Sequence, residues 1–287
     1  MKAANRVALG AGLYFIATPI GTARDITLRA LDILASADVL AAEDTRSLRR
    51  LMDIHQIAVG ERPLIAYHDH NGTAQRPRIL EAIAAGKSVA YASEAGTPLI
   101  ADPGFQLGRA VVAAGAYVTA APGASAVLTA LTVAGLPTDR FFFAGFAPNA
   151  TGQRKTYIRT LKDVPGTLVF YESPKRIHKM LDDLASELDG ARPCAVAREL
   201  TKKFEEVIRG TVDEVRAQLA DRALKGEIVV LVGRSENEDM DETAIEEMLR
   251  ALMKQSTLKD AVAEVASASG MARRQVYQMA LSLDKPE

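Results

Sequence analysis

The sequence predicts two α/β domains, the first on a parallel sheet and the second on a mixed sheet, followed by a small helical tail. Three observations carry that reading. From residue 13 to 136 short apolar runs alternate with amphipathic stretches, the rhythm of βα units. From Arg140 five apolar runs follow with only three clear helical segments between them, which implies mixed strand directions. After Gly233 the acidic run Glu236-Asn237-Glu238-Asp239-Met240-Asp241-Glu242 reads as a linker to a tail spanning residues 243–283. The expected boundaries are 1–136, 137–233 and 234–287, with Leu136-Pro137 closing a helix at the first junction.

In the first domain the predicted strands are residues 13–17, 39–42, 64–67, 89–92 and 117–120. Each runs into a polar or Gly/Pro cluster. These clusters are Thr18-Pro19-Ile20-Gly21-Thr22, Glu43-Asp44-Thr45-Arg46, His68-Asp69-His70-Asn71, Ser93-Glu94-Ala95-Gly96-Thr97-Pro98 and Pro122-Gly123-Ala124-Ser125. A parallel sheet gathers all of them along its carboxyl edge, where open α/β folds bind ligands. The second domain's strands are predicted at 141–145, 167–171, 195–197, 206–210 and 228–232. Polar stretches Tyr171-Glu172-Ser173 and Arg198-Glu199-Leu200-Thr201-Lys202 end two of them, and Lys225-Gly226-Glu227 precedes the last. In the tail an alanine-rich helix after Thr257-Leu258-Lys259-Asp260, the turn Ser269-Gly270-Met271 and a helix opening at Arg273-Arg274 suggest a helix-turn-helix-like unit able to lie on nucleic acid. A helical hairpin that merely caps a surface is the alternative.

Composition narrows the class. With 48% hydrophobic, 25% charged and 5% aromatic residues in 287, the chain is neither disordered nor fibrous and exceeds what one core comfortably supports. Lys and Arg total 35 against 36 Asp and Glu, a net charge of −1, which excludes a polybasic nucleic-acid clamp but not a local basic face. Cys194, the one cysteine, excludes an intramolecular disulfide and a Cys-rich zinc site and fits a reducing, cytoplasmic setting. Residues 1–20 hold an apolar stretch broken by Gly10, Gly12 and Pro19, with no signal-peptide pattern, and read as a strand. The uncharged stretch 110–138 is long enough to span a membrane, yet Gly115, Pro122, Gly123 and Gly135 cut it into helix end, strand, turn and second helix.

Among the motifs, the first cluster lacks both the G-x-G-x-x-G of dinucleotide folds and the Gly-Lys-Ser/Thr of a P-loop, which demotes nicotinamide and ATP. The loop from Ser93 to Pro98, followed by Asp102-Pro103-Gly104, sets small residues around one acid. A planar or extended ligand can lie on such a backbone while a carboxylate accepts from ribose hydroxyls; alternatively Glu94 is a helix-start residue satisfying local amides. His68 and His70 would share a strand face, but only four histidines exist and no partner spacing is evident, so no metal is expected. Asp69 or His68 could instead orient or deprotonate a hydroxyl. Glu43 and Glu172, each held at a strand end, compete for that role, or pair with nearby Arg46 and Lys175.

Taken together, T-P-I-G-x-x-x-D-I-T, A-A-E-D-T-R, H-D-H-N, A-G-T-P-L-I-x-D-P-G, P-G-x-S-A, F-Y-E-S, A-R-E-L-T-K and K-G-E, in this order, resemble the ribosomal RNA small subunit methyltransferase I family of the tetrapyrrole-methylase (class III methyltransferase) superfamily. The resemblance runs from Leu13 to about Val232, and the tail looks like that family's C-terminal extension. It implies two α/β domains of the tetrapyrrole-methylase type, a homodimer, and S-adenosyl-L-methionine in the cleft between the domains. It implies methyl transfer to the 2'-hydroxyl of a decoding-centre cytidine in 16S rRNA, within the small ribosomal subunit. Carried over by motif, the cofactor would touch Pro19, Ser93, Glu94, Ala95, Gly96 and Leu99. It would also touch Ser125 and Ala126 and, from the second domain, Tyr171, Glu172, Leu200, Gly226 and Glu227. Two positions depart from the pattern. Glu94 stands where S-D-A-G-T-P is usual, moving the acid one methylene outward, and Ala124 stands where P-G-P-S-A is familiar.

A ribose hydroxyl is a poor nucleophile at neutral pH, so a carboxylate is expected to take its proton; Asp69, Glu43 and Glu172 are the candidates. RNA contacts are expected from residues 149–155 and from Arg273-Arg274. Methylation of a tetrapyrrole, or a noncatalytic RNA-binding or ribosome-assembly role on the same fold, are the alternatives.

Overall fold

The computed structural model describes residues 4–234, 242–269 and 271–283. The acidic run expected as a linker lies, up to Asp241, outside the described residues, as does Gly270 of the expected turn. Residues 1–234 form one compact unit and 235–287 another.

The first half of the larger unit alternates strictly: β1 (Gly12–Ile16), α1 (Leu28–Ser36), β2 (Val39–Ala42), α2 (Thr45–Ile54), β3 (Leu64–Ala66), α3 (Gly72–Ala84), β4 (Ser88–Ala92), α4 (Phe105–Ala113), β5 (Val118–Ala121) and α5 (Ala126–Ala134). The strands pair in parallel in the order β3-β2-β4-β1-β5. Every residue of β1, β2 and β4 is buried, which is why they read as unbroken apolar runs. Short polar residues set the helix starts. Thr27 accepts from Ala30 N–H, Asp44 from Arg46 N–H and Ser125 from Leu128 N–H. From β1 the chain crosses over β4 to β2, and from β4 it crosses over β1 to β5, so the connections that leave this adjacent pair run in opposite directions. Such a reversal opens a crevice at the carboxyl ends of the two strands.

The second half contains β6 (Phe141–Phe146), α6 (Thr151–Thr160), β7 (Thr167–Glu172), α7 (Ile177–Leu184), a π-helical turn at Ala185–Asp189, β8 (Pro193–Arg198), β9 (Glu206–Thr211), α8 (Val212–Leu219) and β10 (Ile228–Val232). The sheet order is β6-β7-β10-β8-β9, with β6 parallel to β7 and every other pair antiparallel, so the expected mixed sheet is present. Helices α6, α7 and α8 contribute Ile158, Met180, Leu181 and Val215 to the core on one face, where Cys194 also lies buried with its thiol pushed up to about 12 by desolvation. The other face is covered by α5. Val127, Ala130 and Leu131 pack with Val169, Ala195, Ala197, Val229 and Leu231, so the helix that closes the first sheet's chain is core for the second sheet.

The stretch 110–138 divides into the end of α4, Gly115 at φ +69°, β5, a connection through Pro122-Gly123 and α5, which ends at Gly135 with φ +75°. No helix of the described residues is long and apolar enough to cross a membrane. In the smaller unit α9 (Glu242–Met253), α10 (Leu258–Ser269) and α11 (Arg273–Leu283) enclose a core of Ile245, Leu249, Val262, Val265, Val276 and Ala280. Arg273 and Arg274 are exposed at the start of α11.

Candidate active site

The loops after β1 and β4 are stitched together where the crevice opens. Thr18 and Gly96 exchange two backbone hydrogen bonds of 3.0 Å, and the Thr18 hydroxyl donates to the Ser93 carbonyl at 3.2 Å. Gly96 takes φ +79°, a left-handed value that glycine adopts without a Cβ penalty, and the Ser93 hydroxyl donates to its carbonyl. The Thr97 hydroxyl reaches the Ala124 carbonyl at 2.9 Å, tying in the loop after β5. Opposite, Gly21 packs against Leu200-Thr201-Lys202, where a Cβ would approach the Lys202 side chain to 2.6 Å. The Thr22 hydroxyl donates to the Thr201 carbonyl, and Glu199 accepts both the Glu227 amide at 3.0 Å and the Lys202 ammonium at 2.8 Å. Both sheets therefore hold their loops against one cleft.

That cleft has a volume of about 910 Å³. Its first wall carries Pro19, Glu43, Glu94, Ala95, Gly96, Ser125 and Ala126; its second carries Tyr171, Glu172, Gly226 and Glu227. All of these were expected from the sequence. Four other expected residues do not line it. Ser93 and Leu200 are buried behind the lining, Ser93 bonded to Gly96 and Leu200 packed in the core with Val229. Leu99, at φ +71° and 37% exposed, stands next to the lining residue Ile100. Asp69 is exposed beyond the end of β3, an edge strand of the sheet, although its charge still acts on Glu43.

Lining residues the sequence reading missed include Asp102, Ser47, Arg50, Phe146 and Lys202. Asp102 stood in the D-P-G turn, and Arg50 lies one helical turn beyond Arg46, so the spacing carried a usable signal. Phe146 follows an irregularity in β6 between Phe143 and Gly145 and meets the Tyr171 ring edge-on at 5.6 Å; nothing local predicts that.

The acids differ in what surrounds them. Asp102 Oδ1 accepts from the Tyr91 hydroxyl at 3.0 Å and the Gly104 amide at 2.7 Å, while Oδ2 is buried without a partner. Burial pushes the Glu43 carboxyl above its usual range, and the charges of Asp102, Glu94 and Asp69 push the same way against a hydrogen bond from the Glu94 amide. Its expected partner Arg46 instead clasps Asp44, at 2.8 and 3.1 Å. Glu172 is wholly buried as a side chain, accepts from the Ser173 amide at 2.7 Å and faces Arg176 at 3.2 Å rather than the expected Lys175. Burial raises its pKa, opposed by Ser173 and Arg176, and Oε2 has no partner.

Of residues 149–155, expected to face RNA, 149–153 are exposed, but the two cations of the stretch are engaged within the protein. Arg154 is buried against Asp183 at 2.6 Å and donates to the Asn149 carbonyl, while Lys155 pairs with Asp183 and Glu187. α6 begins within this stretch, and the side chain one turn into it falls on the core side. The His68 and His70 rings lie 6.0 Å apart, and among the described residues no group of three or more His, Cys, Asp or Glu could hold a metal ion.

Residues 12–216 match the family of Tetrapyrrole (Corrin/Porphyrin) Methylases, and residues 239–284 match the RsmI C-terminal HTH domain. The ribosomal RNA small subunit methyltransferase I of Mesorhizobium japonicum is 44% identical over 272 residues, covering 94% of this chain and 92% of the relative. Its namesake in Bacillus subtilis is 40% identical over 273 residues, 92% of each chain. Among solved structures, the methyltransferase CobJ superposes with a TM-score of 0.59 at 21% identity, over 78% of this chain and 95% of that one. A uroporphyrin-III C-methyl transferase from Thermus thermophilus, complexed with S-adenyl homocysteine, gives 0.53 at 19% identity, over 77% and 96%. The two structural likenesses carry the fold and the full-length relatives carry the closer kinship: the chain belongs to the tetrapyrrole methylase family and, within it, to the ribosomal RNA small subunit methyltransferase I family.

Proposed function

We propose that this protein methylates the 2'-hydroxyl of a cytidine in the decoding centre of 16S rRNA, within the small ribosomal subunit, as a cytoplasmic homodimer. S-adenosyl-L-methionine is the cofactor; when bound, it supplies a methyl group activated on a sulfonium. The observation that carries the reading is the chemistry of the cleft in a chain of this family. Ala95, Gly96, Ala126 and Gly226 bring backbone close to a ligand, and Phe146 and Tyr171 offer ring faces. Glu43, Glu94 and Asp102 give the first wall of the cleft a negative potential suited to a cation. The partnerless Oδ2 of Asp102 and Oε2 of Glu172 are acceptors waiting for donors. The donor set fits the cofactor.

On this reading the chain aligns the acceptor oxygen, excludes water and receives one proton. Glu43 is the proton acceptor at its carboxylate, because it lines the cleft and its raised pKa makes it a better base than an ordinary carboxylate. Glu172 is a positioning residue. Through Arg176, which also donates to the Ala147 carbonyl and the Asn149 side chain, it holds the loop after β6 against the cleft. Asp69 acts on Glu43 through its field. In the tail, the exposed Arg273 and Arg274 are suited to phosphate contacts.

The test is transfer of labelled methyl from S-adenosyl-L-methionine to undermethylated small subunits, followed by nuclease digestion. Label in 2'-O-methylcytidine is the expected result. Label on another nucleotide moves the acceptor, and no label on any rRNA removes the reading.

A further inference from the structure

The cleft presents a polyanionic substrate with an electrostatic difficulty. Among the described residues, Glu43, Glu94 and Asp102 line one wall without an ion-pair partner, whereas Glu227 on the other wall pairs with Lys202, and the chain as a whole carries −1. A phosphodiester brought against that first wall meets like charge. Delivery of a neutral ribose hydroxyl therefore requires that the flanking phosphates be held outside by cations at the rim.

Helix α2 is placed to do this. Glu43 is followed at once by the Asp44 cap and the helix, and Ser47 and Arg50 line the cleft beside Glu43. Arg46, Arg49 and Arg50 stand at i, i+3 and i+4 on one exposed face, opposite the buried Leu48 and Met52. Their environments differ. Arg46 is neutralised by its two bonds to Asp44, whose carboxyl this pairing holds down at about 2. Arg49 and Arg50 have no hydrogen-bond or ion-pair partner among the described residues, although three acids line the cleft next to Arg50. Two exposed, unpaired guanidinium groups, one of them lining the cleft beside its acids, match phosphate in charge and in fork geometry.

Building on the proposed rRNA methylation, we infer that Arg49 and Arg50 form a phosphate ledge that grips the RNA backbone beside the target nucleotide. The ledge holds the phosphates at the lip while the ribose enters the cleft, so its main effect is on binding of the RNA.

The experiment uses the full chain with R49A/R50A, and with K179E on the exposed surface of α7 as a charge control. Arg46 is left in place because it anchors the start of α2. Three quantities are read: melting temperature, affinity for S-adenosyl-L-methionine by calorimetry, and KM and kcat on undermethylated small subunits over a salt series. The double variant is expected to keep the melting temperature, cofactor affinity and kcat within about twofold, while KM rises about tenfold. The slope of log(1/KM) against log salt is expected to fall by about 1.4, near 0.7 for each single-strand phosphate that is no longer neutralised. Unchanged KM and slope in R49A/R50A, or an equal change in K179E, would overturn the ledge with the methylation reading intact. A wild-type protein that labels no rRNA removes the methylation reading and the ledge with it. Methylation of uroporphyrinogen III that depends on the two arginines would reassign the face to carboxylates and overturn the inference.

Discussion

Glu43 and Glu172 look alike in sequence, each the glutamate at the end of a buried strand, but they sit on opposite walls in opposite company. Around Glu43 the neighbouring charges are acids, and they add to burial in raising its pKa. Around Glu172 the neighbours are Arg176, Arg154 and the Ser173 amide, which oppose burial. Burial alone therefore does not assign a role to a carboxylate. Like charges leave a group ready to take up a proton, whereas an opposite charge engages it in holding the chain.

Replacing each group tests the distinction most severely. Glu43→Gln is expected to lower kcat by about 10²- to 10⁴-fold while cofactor affinity stays within about twofold, read by single-turnover methylation and calorimetry. A fall of less than tenfold would put the proton elsewhere. On the second wall Arg176→Ala leaves Glu172 buried without its ion-pair partner, and is expected to cost about 3 kcal/mol of stability in denaturant unfolding. Glu172→Gln should leave kcat within about fivefold, since the amide keeps the packing and no charge remains to be paired. Linkage gives it a second signature. The folded pKa of Glu172 lies above the unfolded value, so its contribution to stability is full below the unfolded pKa and is lost as pH rises through the folded one. The glutamine variant should flatten that decline in unfolding measured across the mildly acidic range.

Smaller effects sharpen the picture of the first wall. Glu43 accepts a proton only when ionised, so activity rises with pH through its pKa. Asp102→Asn removes the first of the like charges holding that pKa up, and the acid limb of kcat/KM should move to lower pH. Movement to higher pH would contradict the sign. Asp69→Asn, acting from outside the cleft, should shift the limb in the same direction by less and change kcat by no more than about threefold.

The central strands β1, β2, β4 and β10 were legible because burial on both faces writes itself as continuous apolar runs, bounded by Gly, Pro and polar clusters. The lining at Pro19, Glu94, Gly96 and Gly226 was legible because small and special residues at strand ends match family motifs. The partners were not. Arg154 meets Asp183 across 29 residues and Thr22 meets Thr201 across 179, and no local pattern encodes which distant side chain will neutralise a charge. Glu172 chose Arg176 over the adjacent Lys175, because the turn after β7 carries residue 176, one helical turn on, back beside the strand end.

The double duty of α5 bears on how the chain is made. Synthesis completes the first sheet and α5 well before Val229 and Leu231, with which Val127 and Leu131 share a core. A nascent chain paused after residue 136 therefore carries a sticky helix with nothing to cover it, and stays hazardous until β10 has emerged. Gene fragments ending near residue 136 should aggregate, whereas those reaching past Val232 should stay in solution.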